Sequence, residues 1–335
     1  MATRQKNAAE NTSGAGQEIR PKTKWHCGMR VTALLLLCAL SAYPANYYIT
    51  VAGLGGLPEY EAQFTKWAAD LEKQLQANGA DTHVLTLSGN VATRQQVEQA
   101  LTRAAGEVAP GDAFTLFLIG HGTFDGTDYK INLPGPDLTA AELAGLLNKI
   151  PAQRQLVVNM TSASGASIAA LAKKDRIVIA ATKSGTEKNA PVFARYWIDA
   201  LRDPAADADK NGTVSALEAF RYTERKTAGY FEAEKLLATE HALLTDTAKG
   251  NAVRDPKPDN GQGVLAAAFP VLRPHTQIAA NVTPEKQKLL TRKQDIEAKI
   301  DRLKYQKAAL SEGEYKQQLT ELLLELARTQ AEIDR

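Results

Sequence analysis

The sequence predicts an α/β fold: a mostly parallel sheet with helices on both faces, followed by a C-terminal α-helical hairpin. Three observations predict it. Short apolar, β-branched runs alternate with amphipathic stretches from residue 46 to residue 202, the pattern of a parallel sheet covered on both sides. Two of these runs end at residues able to do chemistry, one at His121 and Gly122, the other at Ser162, Ser164 and Gly165. Ligands in open α/β sheets bind at the carboxyl ends of neighbouring strands. Near the C-terminus, Leu289, Ile296, Leu303 and Leu310 recur every seven residues, and Ile300 adds a second seam position. That is the stripe of a coiled helix.

Composition narrows the class. The chain has 335 residues, 44% hydrophobic and 23% charged, enough for one sizeable domain with an appendage. Residues 31–42 form an apolar run behind Lys22, Lys24 and Arg30. It is too short to span a bilayer comfortably but suits the core of an export signal, with a small-x-small cleavage site at Ala39 and Ser41. The chain is therefore expected to be exported, periplasmic or secreted; the alternative is a membrane anchor retained at this segment. Both cysteines, Cys27 and Cys38, lie in this leader, so the processed chain would hold neither a disulfide nor a thiol nucleophile. Beyond residue 41 remain 34 of the 40 basic and 36 of the 38 acidic residues. This near balance argues against nucleic acid as a partner.

Taken in order, residues 46–53 read as a first buried strand ended by glycines. Gly53 and Gly55 invite a dinucleotide fingerprint, but its third glycine would fall on Pro58, so the pattern fails. A helix is expected from about residue 59 to 78, with Phe64, Trp67, Ala68 and Leu71 on one stripe. Residues 83–87 form the next strand, in which His83 has no partner signature. Thr93 caps a helix to about Val108, and residues 110–112 turn into the strand ending at His121. After a polar stretch, Thr139 opens a helix to Lys149, and the Ser162 strand follows. Residues 176–182 add a strand that leads into the loop 183–189, and residues 263–269 a last one.

Acyl transfer needs a nucleophile, a proton acceptor and donors for the oxyanion. Ser162 is the candidate nucleophile and His121 the candidate base, and Gly122 permits close backbone approach. Helix entry at residues 163–165 would add a partial positive charge. Serine sites usually recruit a third group to hold the imidazole; Asn159, Asp125 and Asp128 are candidates, and the sequence selects none of them. Read structurally instead, Ser162 and Ser164 cap a helix. These strand ends resemble those of the legumain/caspase type of cysteine peptidase, over roughly residues 46–202. In that family the second strand ends in a cysteine within an Ala-Cys-x-Ser-Gly-like run; here Ser162 stands in its place. The resemblance implies oxyanion donors at the backbone N–H groups of Gly122 and Ser162. It also implies an Asn after the first strand that orients the His, whose matching position is Gly55. The loop 182–189 would then lie beside the site, with Glu187 suiting a basic side chain and Ser184 and Thr186 a small polar one.

Residues 207–218 match an EF-hand-like calcium loop. Side-chain oxygens fall at Asp207, Asp209, Asn211 and Ser215, a carbonyl at Thr213, glycine at Gly212 and a carboxylate at Glu218, the oxygen-rich set that Ca2+ requires. Flanking helices are expected at residues 192–201 and 215–244. One site without a paired loop favours a structural role; the bland alternative is an Asx-rich turn capping the Glu218 helix. His241 lacks a second ligand at zinc spacing.

After residues 311–313, Tyr315, Leu319, Leu322, Leu326 and Ile333 resume the apolar seam, so residues 283–335 should form a coiled-coil-like hairpin that packs on the domain or self-associates. The expected organisation is a leader over 1–41, the caspase/legumain-like domain over 42–202, and the calcium loop with a long helix and final strand over 203–282. The leading functional expectation is an exported peptidase-like hydrolase using a Ser-His pair on peptide or protein substrates, with one structural Ca2+. The competing one is a catalytically inactive peptidase-fold protein acting as a calcium-stabilised protein-interaction module.

Overall fold

The computed structural model describes residues 44–78, 82–272 and 283–334. The expected leader with Cys27 and Cys38 lies outside the described residues. The elements run β1 (Asn46–Ala52), α1 (Pro58–Gln76), β2 (Thr82–Leu87), α2 (Arg94–Glu107), β3 (Ala113–Gly120), β4 (Gly122–Phe124), β5 (Tyr129–Ile131), β6 (Leu138–Thr139), α3 (Ala140–Leu147) and β7 (Arg154–Thr161). They continue with α4 (Ile168–Leu171), β8 (Arg176–Ala180), α5 (Phe193–Ala200), β9 (Val214–Ser215), α6 (Ala216–Ala233), β10 (Leu243–Thr245), α7 (Val264–Ala267), β11 (Pro270–Leu272), α8 (Pro284–Tyr305) and α9 (Glu312–Ile333).

The main sheet has the order β10-β8-β7-β3-β1-β2. All its pairs are parallel except β10 with β8. Strand β3 is buried along its whole length, as a strand covered on both faces must be, and its side chains alternate between two cores. Phe117 and Ile119 meet Phe64, Trp67 and Leu71 of α1 and Phe193 and Trp197 of α5 on one face. Phe114, Leu116 and Leu118 meet Val97 and Leu101 of α2 and Leu143 and Leu147 of α3 on the other. Thr93 and Thr139 cap their helices as expected, the latter through a full capping box with Glu142.

Several expectations change. The polar stretch after His121 folds into a small antiparallel sheet, β4-β5-β6. The helix expected to leave the calcium loop as far as residue 244 stops at Ala233, and Lys235 takes a left-handed φ of +54° just beyond it. The sixth strand of the main sheet is β10, not residues 263–269. Those residues form the short helix α7, and β11 beyond it pairs antiparallel with β9 of the loop 207–218.

The hairpin forms, with α8 and α9 packed together and Ile296, Ile300, Leu303 and Ile333 buried. Arg292 pairs with Glu325 across it, at 3.2 Å. Tyr305 at the end of α8 donates to the Gln262 carbonyl at 2.8 Å, fastening the hairpin to the segment before α7. Among the described residues, no helix is long and apolar enough to cross a membrane.

Candidate active site and candidate metal loop

Strands β3 and β7 are hydrogen-bonded neighbours, in register from Ala113 with Arg154 to Gly120 with Thr161. His121 and Ser162 therefore leave adjacent strands at the same level of the sheet's carboxyl edge. Ser162 is 1% exposed. Its hydroxyl accepts from the Gly122 N–H at 3.0 Å and donates to the Gly122 carbonyl at 3.0 Å. The proton that a nucleophile would hand to imidazole is thus held by a main-chain carbonyl. The N–H expected to serve an oxyanion is also engaged. A side chain at position 122 would sit 2.5 Å from the Ser162 carbonyl oxygen and 2.6 Å from the Tyr129 ring, so this close approach requires glycine.

His121 is half-buried, its ring edge-on to Tyr60 and Phe64 with centroids 5.1 and 5.2 Å away. Burial holds the imidazole below the usual histidine range; a hydrogen bond to the Gly55 backbone partly offsets this. The position where the family resemblance implies an orienting Asn thus contributes through its main chain. None of the three proposed orienting side chains is hydrogen-bonded to His121. Asn159 donates to Ser167 at 3.0 Å and accepts from Tyr129 and Thr161. The Asp125 carboxylate accepts from Thr127, Asp128 and Lys130. Asp128 donates its N–H to Asp125.

Beneath Ser162 lies a buried polar cluster that sequence reasoning missed. Tyr129 bonds Thr161 at 2.6 Å and Asn159 at 3.3 Å, and burial pushes its hydroxyl up to about 12. Period-2 reasoning finds the apolar residues of β7 but gives no signal that Tyr129, in a three-residue strand, reaches them.

The turn after Ser162 differs from the expected helix start. Ala163 is fully buried with φ +56°, a left-handed conformation uncommon for a residue with a Cβ. A 3-10 turn and the single-turn α4 follow, with no side-chain cap. The expected helix-terminus charge is accordingly small, and the serines do not cap. Ser164 instead accepts from the Thr182 N–H at 3.1 Å, and Gly165 N donates to Thr182 Oγ1 at 2.9 Å, tying the ends of β7 and β8 together.

The loop after β8 does lie beside this turn. Ser184 pairs with Thr186 at 2.7 Å. The carboxylate of Glu187 is used internally: it accepts from Lys183 N at 2.8 Å and His241 N at 3.2 Å, and pairs with His241 Nδ1. Its backbone carbonyl accepts from Ala163 N at 2.7 Å. Nearby, Glu240 accepts from the Val192 and Phe193 N–H groups at the start of α5. Burial outweighs those bonds and pushes its carboxyl up to about 7.

In the loop 207–218, ligand oxygens of Asp207, Asp209 and Glu218 come within 4.8 Å of one another. Gly212, at the sharp turn, has φ +83°, and its N–H donates to Asp207 at 2.9 Å. Asn211 Oδ1 receives the Thr213 N–H at 2.8 Å. Glu218 collects Ala208 N on one oxygen and Ser215 N and Oγ on the other. This all-oxygen donor set fits a hard cation such as Ca2+. Strand β11 occupies the side of the loop where a second loop would pair. Lys304 of α8 reaches Asp209 at 3.3 Å. Beside it, burial and the neighbouring Asp209 and Glu218 charges raise the Asp301 carboxyl to about 6, against the pull of Lys304.

No family model matches the chain, and no curated protein matches it in sequence. Among solved structures, the chain is similar to a Geobacter sulfurreducens protein at 15% identity and TM-score 0.41, covering 65% of this chain and 97% of that one. It is similar to the Drosophila initiator caspase Dronc at 13% identity and TM-score 0.43, covering 71% and 93%. For caspase-1 from Spodoptera frugiperda the values are 11%, 0.44, 61% and 88%.

Proposed function

We propose that this chain is a catalytically silent protein of the caspase/legumain type, which binds a peptide or protein partner and is stabilised by one Ca2+. The observation that carries this reading is the reciprocal pair of hydrogen bonds between Ser162 and Gly122. It buries the hydroxyl, takes its proton away from His121 and occupies the Gly122 N–H. A hydroxyl in that state braces the turn, and attack would first require its proton to come within hydrogen-bond reach of a base. The adjacency of the two strand ends supports the family reading. Asp207, Asp209, Asn211, Thr213, Ser215 and Glu218 would hold the Ca2+, which would fix the loop between α5 and α6.

An active Ser-His hydrolase is the second reading. It is favoured by the position of His121 at the end of the strand next to that of Ser162, with burial holding its imidazole below the usual histidine range. It requires Ser162 to turn away from Gly122. A fluorophosphonate probe separates the two. The silent reading expects no labelling of Ser162, whereas labelling that disappears in Ser162→Ala would establish the hydrolase. Export with removal of residues 1–41 belongs to the same proposal. So does self-association through the hairpin, whose Leu323 and Leu324 are exposed; sedimentation across a concentration series tests it.

A further inference from the structure

Three contacts wrap the loop 182–188 around the Ser162 turn, and a fourth joins it to β4. Thr182 binds Ser164 and Gly165. The backbone at Lys183 and Ser184 lies against the Cα of Gly165 so closely that a side chain there would collide. Gly185 is likewise covered by the Phe124 ring of β4, the strand that begins at Gly122. The Glu187 carbonyl takes the Ala163 N–H at 2.7 Å. Thus the loop and the β4 hairpin meet across the turn, and Ser162, Ala163 and Ser164 are all buried.

His241 fastens this loop from outside. The Glu187 carboxylate joins Lys183 within the loop to His241, from a segment 54 residues away, through His241 N and Nδ1. Lys183 Nζ adds a looser contact at 3.6 Å. His241 is in turn anchored by its neighbour Glu240, bonded to the start of α5. This charge-assisted cluster is the side-chain tie between the far end of the loop and the body of the domain, beside the main-chain bond from Ala163 to Glu187.

We propose that the loop 182–188 is a lid over the strand-end turn, latched by the pairing of Glu187 with His241, and that release of this pair exposes Ser162 and the Ala163 N–H. A lid would close a reactive and a silent turn alike, so the proposal does not depend on which reading of Ser162 holds.

Amide hydrogen exchange of the full chain tests it, comparing Ala163 with Val157 in the middle of β7. Glu187→Gln is expected to speed exchange at Ala163 about tenfold or more, the loss of one charge-assisted hydrogen bond, with Val157 unchanged. His241→Gln should do the same, and serves if Glu187→Gln does not fold. Equal acceleration at both amides, or none at either, would overturn the latch. As a second readout, Ser162→Cys in a Cys27→Ser, Cys38→Ser background reports access to the turn by iodoacetamide. Slow labelling that Glu187→Gln accelerates supports the lid; labelling as fast as in the urea-unfolded chain would overturn it.

Discussion

At the scale of single residues, the site is built from main-chain groups more than from side chains. Gly122 shows this most directly, since its N–H and carbonyl hold Ser162 while its missing Cβ makes room for Tyr129. Gly122→Ala should cost about 3 kcal/mol or more, the upper range for overpacking a tight site, measured by urea unfolding. Arg176 is another residue whose partners lie far off in sequence. It is 1% exposed and bonded to Gln155, the Leu171 carbonyl and Asn148, all neutral acceptors. Burial lowers its guanidinium to about 10. Arg176→Ala is expected to destabilise the fold by about 3 kcal/mol, because the buried acceptors on Gln155 and Leu171 lose their donor. His121 and Ser162 were legible in the sequence because each ends an apolar run. The partners that decide what they do were not. Glu187 meets His241 and Tyr129 meets Asn159 only through tertiary folding, and no local spacing encodes either contact.

At the scale of elements, the long strands β1, β3, β7 and β8 and the helices α1, α2 and α3 were legible from apolar period and capping residues. Elements of two to four residues were not. Strands β4, β5, β6 and β10 are too short for alternation to show. In residues 263–269, Ala266 and Ala267 follow their helix propensity rather than the apolar run. Beyond α6, Leu236 and Leu237 continue a seemingly helical stripe, yet they are 54% and 90% exposed and the chain has already turned at Lys235. The loop 207–218 and α8 are coupled by charge. Lys304 faces Asp209, so a cation entering the loop must compete with this ammonium. Lys304→Met is expected to tighten Ca2+ binding several-fold by titration calorimetry, as an exposed ion pair of modest strength no longer opposes the metal. Glu218→Gln should abolish the rise in melting temperature on adding Ca2+, which at 100 times the dissociation constant corresponds to about 2.7 kcal/mol.

At the scale of the whole molecule, stability should depend on pH through buried carboxyls. Glu240 is raised from an ordinary glutamate value to about 7 and Asp301 to about 6. In each case the folded state keeps a proton that the unfolded chain has lost. These two groups therefore lower stability as pH rises from about 4.5 through 7, while the lowered imidazole of His121 acts in the opposite direction near the top of this range. Glu240→Gln should lessen that decline, read from melting temperatures across this range. The molecule joins a sheet covered on both faces, a hairpin fastened at Tyr305 and a strand-end serine used as a brace. That last role makes Ser162→Ala the most direct measurement, by equilibrium unfolding of the full chain. The account predicts a loss of about 1–3 kcal/mol, since truncation strands the buried N–H and carbonyl of Gly122. Unchanged or increased stability, the behaviour of a nucleophile held in place at the fold's expense, would contradict it.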